Sequence, residues 1–227
     1  SYVFAGTPWF ASKTTEFVIV GNGNLIKYNG TNTDIILGSE VKSIAADVFE
    51  NNTNIVSLDL SQTQITTIPR NAFKGATSLA TITFSSNIKE IGANAFYGTA
   101  WLENQLAQPG DVYVVVNGIL VAFKAISSTI TIPSQVRFIP DYVFKNNTTI
   151  TTLEFDNSHV ILADYAFYGC TNLDTITNVG FISYLGTNTF ANTKYYEDIQ
   201  DGLITINNML VGYKGELENL VIPASVS

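Results

Sequence analysis

Residues 88–102 read Ile88-Lys-Glu-Ile91-Gly-Ala-Asn94-Ala-Phe96-Tyr-Gly98-Thr-Ala-Trp-Leu102. Working outward from Phe96, an aliphatic stands five residues before the ring, an Asn two before, a Gly two after and a Leu six after. The same frame returns around Phe49, Phe73, Phe144, Phe167 and Phe190, at steps of 23 or 24 residues within each group of three. The aliphatics are Ile44, Ile68, Ile91, Ile139, Leu162 and Leu185. The residues after the ring are Asn51, Gly75, Gly98, Asn146, Gly169 and Asn192, types that tolerate the left-handed conformation ending a short helix. Ahead of each ring lies Asp47, Asn71, Asn94, Asp141, Asp164 or Asn188, whose side-chain oxygen suits a helix start. The spacing therefore predicts about one helical turn under each Phe.

A further large apolar residue follows six positions later: Ile55, Leu79, Leu102, Ile150, Leu173 or Tyr196. In four units the chain then alternates, as in Ile55-Val-Ser-Leu58-Asp-Leu60 and Ile150-Thr-Thr-Leu153-Glu-Phe155. Alternation predicts strands with one face inward and one outward. No such unit can bury its apolar face alone, so neighbours must stack, and the strands must line up as a parallel sheet along one side of a coil. Internal repetition predicts a solenoid.

A second period lies above the first. Phe4-Ala-Gly-Thr7-Pro-Trp9-Phe10, Phe96-Tyr-Gly-Thr99-Ala-Trp101-Leu102 and Phe190-Ala-Asn-Thr193-Lys-Tyr195-Tyr196 are one segment repeated. After each comes a hairpin signature, two β-rich runs joined by Gly21-Asn22-Gly23, Asn117-Gly118 or Asn207-Asn208, residue types that accept positive φ. A strand ending in Ile-Pro, at Pro133 or Pro223, leads to the next unit. The expected layout is one continuous array over residues 1–227: the end of a preceding repeat at 1–10, hairpins at 16–40, 107–135 and 199–227, and repeats at 41–106 and 136–198. Because it opens at the tail of one module and stops as another begins, the chain reads as part of a longer array.

Units of the form Ile-x-x-Ile-x-x-x-Ala-Phe-x-Gly-x-x-x-Leu-x-x-Ile, at 88–102 and 159–176, resemble the BspA-like class of bacterial surface leucine-rich repeats. The likeness runs through nearly the whole chain. It implies a right-handed leucine-rich-repeat coil with parallel strands and short helical turns, here interrupted by β-hairpin modules. It also implies a secreted or cell-surface protein of a host-associated microbe, linked to adhesion, with no catalytic residues. Two departures stand out: Cys follows the residue ending the Phe turn only at Cys170, and hairpins split the array.

Composition agrees with an extracellular surface. Hydrophobic residues make up 46%, enough for a core, while only 13% are charged and Asn, Thr and Ser are abundant. A net charge of −8 disfavours nucleic acid and anionic lipid. The longest apolar runs, 112–116 and 119–123, are far below the roughly 20 residues that span a bilayer, so no membrane insertion is expected. No basic stretch, apolar run and cleavage site open the chain as a signal peptide would, so signal and anchor are expected outside it.

Chemistry is sparse. One His and one Cys leave no nucleophile pair and no multi-cysteine metal site. His159, eight residues before Phe167, sits where sister units hold Val41, Ile65, Ile88, Val136 and Ile182, so it is expected at a partly buried structural position. Cys170 falls on a small-residue packing site. Glu154 and Asp156 share a strand face, as a glycosidase pair would, yet other units carry Thr there, so a solvated face is the reading. Glu197, Asp198 and Asp201 match no calcium-loop spacing. Trp9 and Trp101 are module equivalents and read as structural. Asn29, Asn51, Asn146 and Asn147 begin glycosylation acceptor sequences.

The expectation is therefore a non-enzymatic, cofactor-free and metal-free scaffold, extracellular or on the cell surface, that binds a protein or a matrix or glycan ligand. Its candidate surface is the outward strand face: Ser57, Asp59, Ser61, Thr81, Thr83, Ser85, Thr152, Glu154, Asp156, Thr175 and Thr177. The alternative is a ligand-free spacer that projects another domain.

Overall fold

The computed structural model describes Phe4 and residues 6–156, 159–199, 202–215 and 221–225. The chain packs as two compact units, Ser1–Gln108 and Pro109–Ser227. In each, a β-hairpin precedes a run of parallel rungs.

The first unit holds β1 (Phe17–Val20), β2 (Asn24–Tyr28), β3 (Asp34–Ile36), β4 (Ser43–Ile44), β5 (Ser57–Asp59), β6 (Thr67–Ile68), β7 (Thr81–Thr83) and β8 (Glu90–Ile91). The second holds β9 (Val112–Val116), β10 (Ile119–Lys124), β11 (Thr129–Ile132), β12 (Phe138–Ile139), β13 (Thr152–Phe155), β14 (Val160–Leu162), β15 (Thr175–Thr177), β16 (Ile182–Leu185), β17 (Gly202–Ile206) and β18 (Met209–Lys214). Each coil contributes to two ladders. One is β3-β5-β7 in the first unit and β11-β13-β15 in the second; on the other, β4 joins β1 and β2 while β6 pairs with β8 in the first unit, and β12, β14 and β16 share a sheet with β9 and β10 in the second. All rungs within these ladders are parallel, as a one-way coil requires.

The first two hairpins each extend a ladder, and the third, β17 with β18, forms a two-stranded sheet of its own. Positive φ at Gly21 and Gly23, Asn117 and Gly118, and Asn207 and Asn208 turns each one back on itself. The return strands β2 and β10 then pair in parallel with β4 and β12, and the N–H groups of Arg137 and Phe138 both donate to Gly118 O at 2.8 and 3.0 Å. The outer strands β1 and β9 are antiparallel to their partners, so each ladder starts on a reversed strand.

The interior is a file of rings. Phe49 stacks on Phe73 at 5.5 Å between centroids, Phe73 on Phe96 at 5.5 Å, Phe144 on Phe167 at 4.5 Å and Phe167 on Phe190 at 5.3 Å. All six are buried, with exposures of 0–2%. Successive coils share this core, so no single coil carries its own.

The turn that carries each Phe is not helical. Asp47, Asn71, Asn94 and Asn188, expected as helix caps, have φ between 54 and 69°, a left-handed conformation instead of the extended one a cap needs. In the other two units the left-handed residue is Tyr142 or Tyr165, one place after the expected Asp141 or Asp164. Asn51, Gly75, Gly98, Asn146, Gly169 and Asn192 are left-handed as expected. Two such residues four apart, one on each side of the ring, make a tight double bend in which no α-helical turn fits. Gly75 is needed for a second reason: a Cβ there would collide with the Asn51 Oδ1 of the coil before, and Gly169 stands in the same relation to Asn146.

Among the described residues, α-helices appear only where a run of coils ends, α1 (Pro8–Ala11), α2 (Ala100–Leu106) and α3 (Lys194–Glu197), while a short 3-10 turn at Val179–Phe181 lies between β15 and β16. Each α-helix follows the repeated Phe-x-x-Thr segment. The hydroxyls of Thr7, Thr99 and Thr193 donate to the carbonyl of that Phe at 2.7–2.8 Å and accept from the amide three residues on at 3.1–3.2 Å. A hairpin lysine then ties down the far end. Lys27 Nζ donates to Phe10 O and Lys13 O at 3.3 and 3.2 Å, and Lys214 Nζ to Glu197 O at 2.7 Å, where cations suit the carbonyl end of a helix.

Candidate functional site

The ladders β3-β5-β7 and β11-β13-β15 send alternate side chains outward, and their register decides which become neighbours. In the first unit Asp34, Ser57 and Thr81 form one row, and Ile36, Asp59 and Thr83 a second. In the second unit the rows are Thr129, Thr152, Thr175 and Thr131, Glu154, Thr177. Between the rows, Ile35, Leu58, Ile130 and Leu153 point into the core. Each row is held by parallel backbone pairing and backed by packed aliphatics, so its groups are rigidly spaced.

Sequence reasoning placed most of these residues. Thr81, Thr83 and Thr175 are exposed, while Ser57, Asp59, Thr152, Glu154 and Thr177 are half-buried on the same faces. Ser61 and Asp156 are exposed just beyond the ends of β5 and β13. Ser85 is a correction: it is 1% exposed, and its hydroxyl donates to Thr63 O at 3.2 Å. Strand β7 ends at Thr83, so the alternation that would send Ser85 outward has already stopped. Asp34, Ile36, Thr129 and Thr131 complete the rows but were missed. The alternating Ile130-Thr131-Ile132 was a usable signal for the second pair.

Hydroxyls cross-brace the carboxylates. Ser57 Oγ and Thr33 Oγ1 donate to Asp34, and these two hydrogen bonds, Ser57 first, hold its carboxyl below the usual range. The backbone N–H of Ser61, at 2.7 Å, and its side chain do the same for Asp59. In the second unit Thr131 Oγ1 donates to Glu154 Oε2 at 3.2 Å. Asp174, at the foot of β15, is held low by the Thr175 hydroxyl and by Lys194 at 3.2 Å. The rows thus offer hydroxyls and fixed carboxylates, a set that can meet a basic protein patch or the hydroxyls of a glycan.

Other residues take structural places. Cys170 is buried, and its Sγ donates to Phe144 O at 3.0 Å; burial pushes its thiol up to about 11. A thiol kept protonated and covered is a poor nucleophile. His159, expected half-buried, is exposed, and Val160 fills the inward place that Ile182 fills one coil later. The β14–β16 pairing shifts register between Val160 and Ile161, so the eight-residue count to Phe167 misplaces the side chain by one. Trp101 packs on Phe84 and Phe96 at 5.4 and 4.9 Å, while its equivalent Trp9 contacts Phe4 at 5.0 Å. Glu197 pairs with Lys214 and Asp198 with Lys194, and Asp201 lies outside the described residues. Among the described residues no group of three or more His, Cys, Asp or Glu is placed to hold a metal, and no helix is long and apolar enough to cross a membrane.

The sequence matches the profile of the BspA type leucine rich repeat region in six copies, over residues 27–113 and 121–227. Among solved structures it is similar to a leucine-rich-repeat protein of T. pallidum, at 20% identity and a TM-score of 0.43, covering 81% of this chain and 88% of that one. A leucine-rich-repeat protein from Bacteroides ovatus is 20% identical with a TM-score of 0.36, covering 76% of this chain and 43% of its own. The pneumococcal vaccine antigen PcpA is 13% identical with a TM-score of 0.29, covering 69% and 51%. No curated protein matches significantly in sequence.

Proposed function

The chain belongs to the BspA type of leucine-rich-repeat proteins, and from that premise we propose that it is a secreted or cell-surface recognition scaffold that binds a host protein, or a matrix or glycan ligand, through the outward strand rows. The family is generally involved in surface adhesion and protein binding, and repeat scaffolds of this kind are generally non-enzymatic. The observation that carries the reading is register: hydroxyls and carboxylates recur in line on parallel rungs, so a ligand meets the same chemistry at each step of the coil. Repeat proteins use such surfaces for large partners because many equivalent contacts sit on one rigid support.

Charge reversal tests the second unit's face. Glu154→Lys with Asp156→Lys should lower binding to host matrix or cells while leaving the melting temperature nearly unchanged, since both side chains lie outside the core. Unchanged binding would remove this surface from consideration. An exchange of the whole array for an unrelated rod of equal length then addresses the spacer alternative. Recognition predicts that adhesion disappears, and adhesion that survives the exchange would make the array a spacer.

A further inference from the structure

The turn edge of the second unit carries a cluster that the strand rows do not use. Tyr142 and Tyr165 occupy the left-handed position two residues before Phe144 and Phe167, with φ of 65 and 58°. The turns at Phe49, Phe73, Phe96 and Phe190 put Asn or Asp there, residues that tolerate the conformation, whereas a bulky side chain at positive φ is a backbone outlier. The two rings stack at 5.3 Å with an interplanar angle of 17°, and Tyr168 meets Tyr165 edge-on at 5.6 Å. Asn188, in the same position one coil later, donates its amide to the Tyr165 hydroxyl at 3.1 Å. Tyr142 remains 47% exposed. The first unit builds the same turns with Asp47, Asn71 and Asn94, so the fold has no need of these rings.

A cation already sits among them. Lys145 Nζ lies 4.7 Å from the Tyr142 ring centroid and 5.6 Å from that of Tyr168, and among the described residues no carboxylate lies within ion-pair distance of it. Its ammonium is held by ring faces. The exposed carboxylates Asp141 and Asp164 precede the two stacked tyrosines on successive coils, and the protein's net charge of −8 draws cations toward it.

We propose that Tyr142, Tyr165 and Tyr168 form an aromatic cradle for an arginine side chain of a protein partner, with Lys145 as its resident occupant in the free protein. Lys145 reaches the cradle on a flexible, exposed stem and can swing out. A guanidinium is flat, stacks on rings and is more weakly hydrated than an ammonium, so it gives up less on leaving water. The rings are braced against one another before the partner arrives, which lowers the ordering cost of binding. This surface is distinct from the strand rows, and either could fail without the other.

The test uses the full chain and a synthetic octapeptide of alternating arginine and glycine, with Kd measured by biolayer interferometry. Tyr142→Asn with Tyr165→Asn keeps the net charge and installs the residue that sister turns carry. It should melt near the wild-type temperature and bind about tenfold more weakly, a change of about 1.4 kcal/mol. Tyr168→Ala, away from the left-handed positions, should also weaken binding, and Tyr142→Phe with Tyr165→Phe should retain it. Lys145→Ala empties the cradle and should bind more tightly than Lys89→Ala, which removes the same charge from the first unit. Gln64→Ala, an exposed side chain of the first unit that belongs to neither surface, should bind as wild type. Unchanged binding in the asparagine double variant would overturn the proposal. So would weaker arginine-peptide binding in Lys145→Ala, which makes the lysine part of the site instead of its displaceable occupant, or capture of a glutamate–glycine octapeptide that Lys145→Ala abolishes, which makes the ligand an anion.

Discussion

The two units have interiors of the same design and differ at one edge. Both file phenylalanine rings through the core at 4.5–5.5 Å, and both bend the chain through left-handed residues on either side of each ring. At the position before the ring, however, the first unit uses Asp47, Asn71 and Asn94 and the second uses Tyr142, Tyr165 and Asn188. The first set satisfies the turn with side chains suited to αL. The second accepts backbone strain and gains an exposed aromatic cluster. Identical cores with unlike edges separate what the coil needs from what its surface adds.

The core half of the comparison makes the largest prediction. Phe73→Ala in the first unit and Phe167→Ala in the second should each cost about 3–5 kcal/mol by chemical denaturation, because each opens a cavity between stacked rings. Clearly unequal losses would break the claim that the two interiors are equivalent. Next in size, Gly75→Ala and Gly169→Ala should each cost about 1–3 kcal/mol, since a Cβ meets both a left-handed φ and the Asn of the coil before. The Thr99→Ala change should cost roughly 1–2 kcal/mol, through the lost cap of α2.

Edge exchanges sharpen the contrast. Asn71→Tyr, which places a lone ring at φ 58° in the first unit, should destabilise by about 1 kcal/mol. Tyr142→Asn should move stability by less than that, because relief of strain and loss of a ring stack oppose each other. Thr83→Ala, on an exposed row, should stay within about 0.5 kcal/mol. Acid titration reads the same rows differently. Asp34 and Asp59 have folded pKa values below their unfolded ones, so their contribution is present above the ordinary carboxylate value of about 3.9 and fades as pH falls through the depressed one. Binding of a basic ligand to the first unit's face should therefore persist at about pH 5 and weaken only below about pH 4.

What sequence alone determined was whatever depends on spacing along the chain. Phe49 to Phe190 recur at the coil length, so the stack, the parallel rungs and the inward Leu58 and Leu153 follow from periodicity and the impossibility of burying one coil alone. Asn117-Gly118 fixed a hairpin because both residues accept positive φ. Tertiary structure decided what depends on where a regular element stops and on how adjacent coils meet. Asp47 and Asn71 suit a helix cap and a left-handed bend equally well, and only their positive φ in the folded coil excludes the cap and the helix. Ser85 turned inward because β7 ended two residues earlier, and His159 yielded its place to Val160 through a register shift. The tyrosine cluster is visible only across coils: Tyr142 and Tyr165 are 23 residues apart in sequence, and the rise between parallel rungs brings their rings to 5.3 Å.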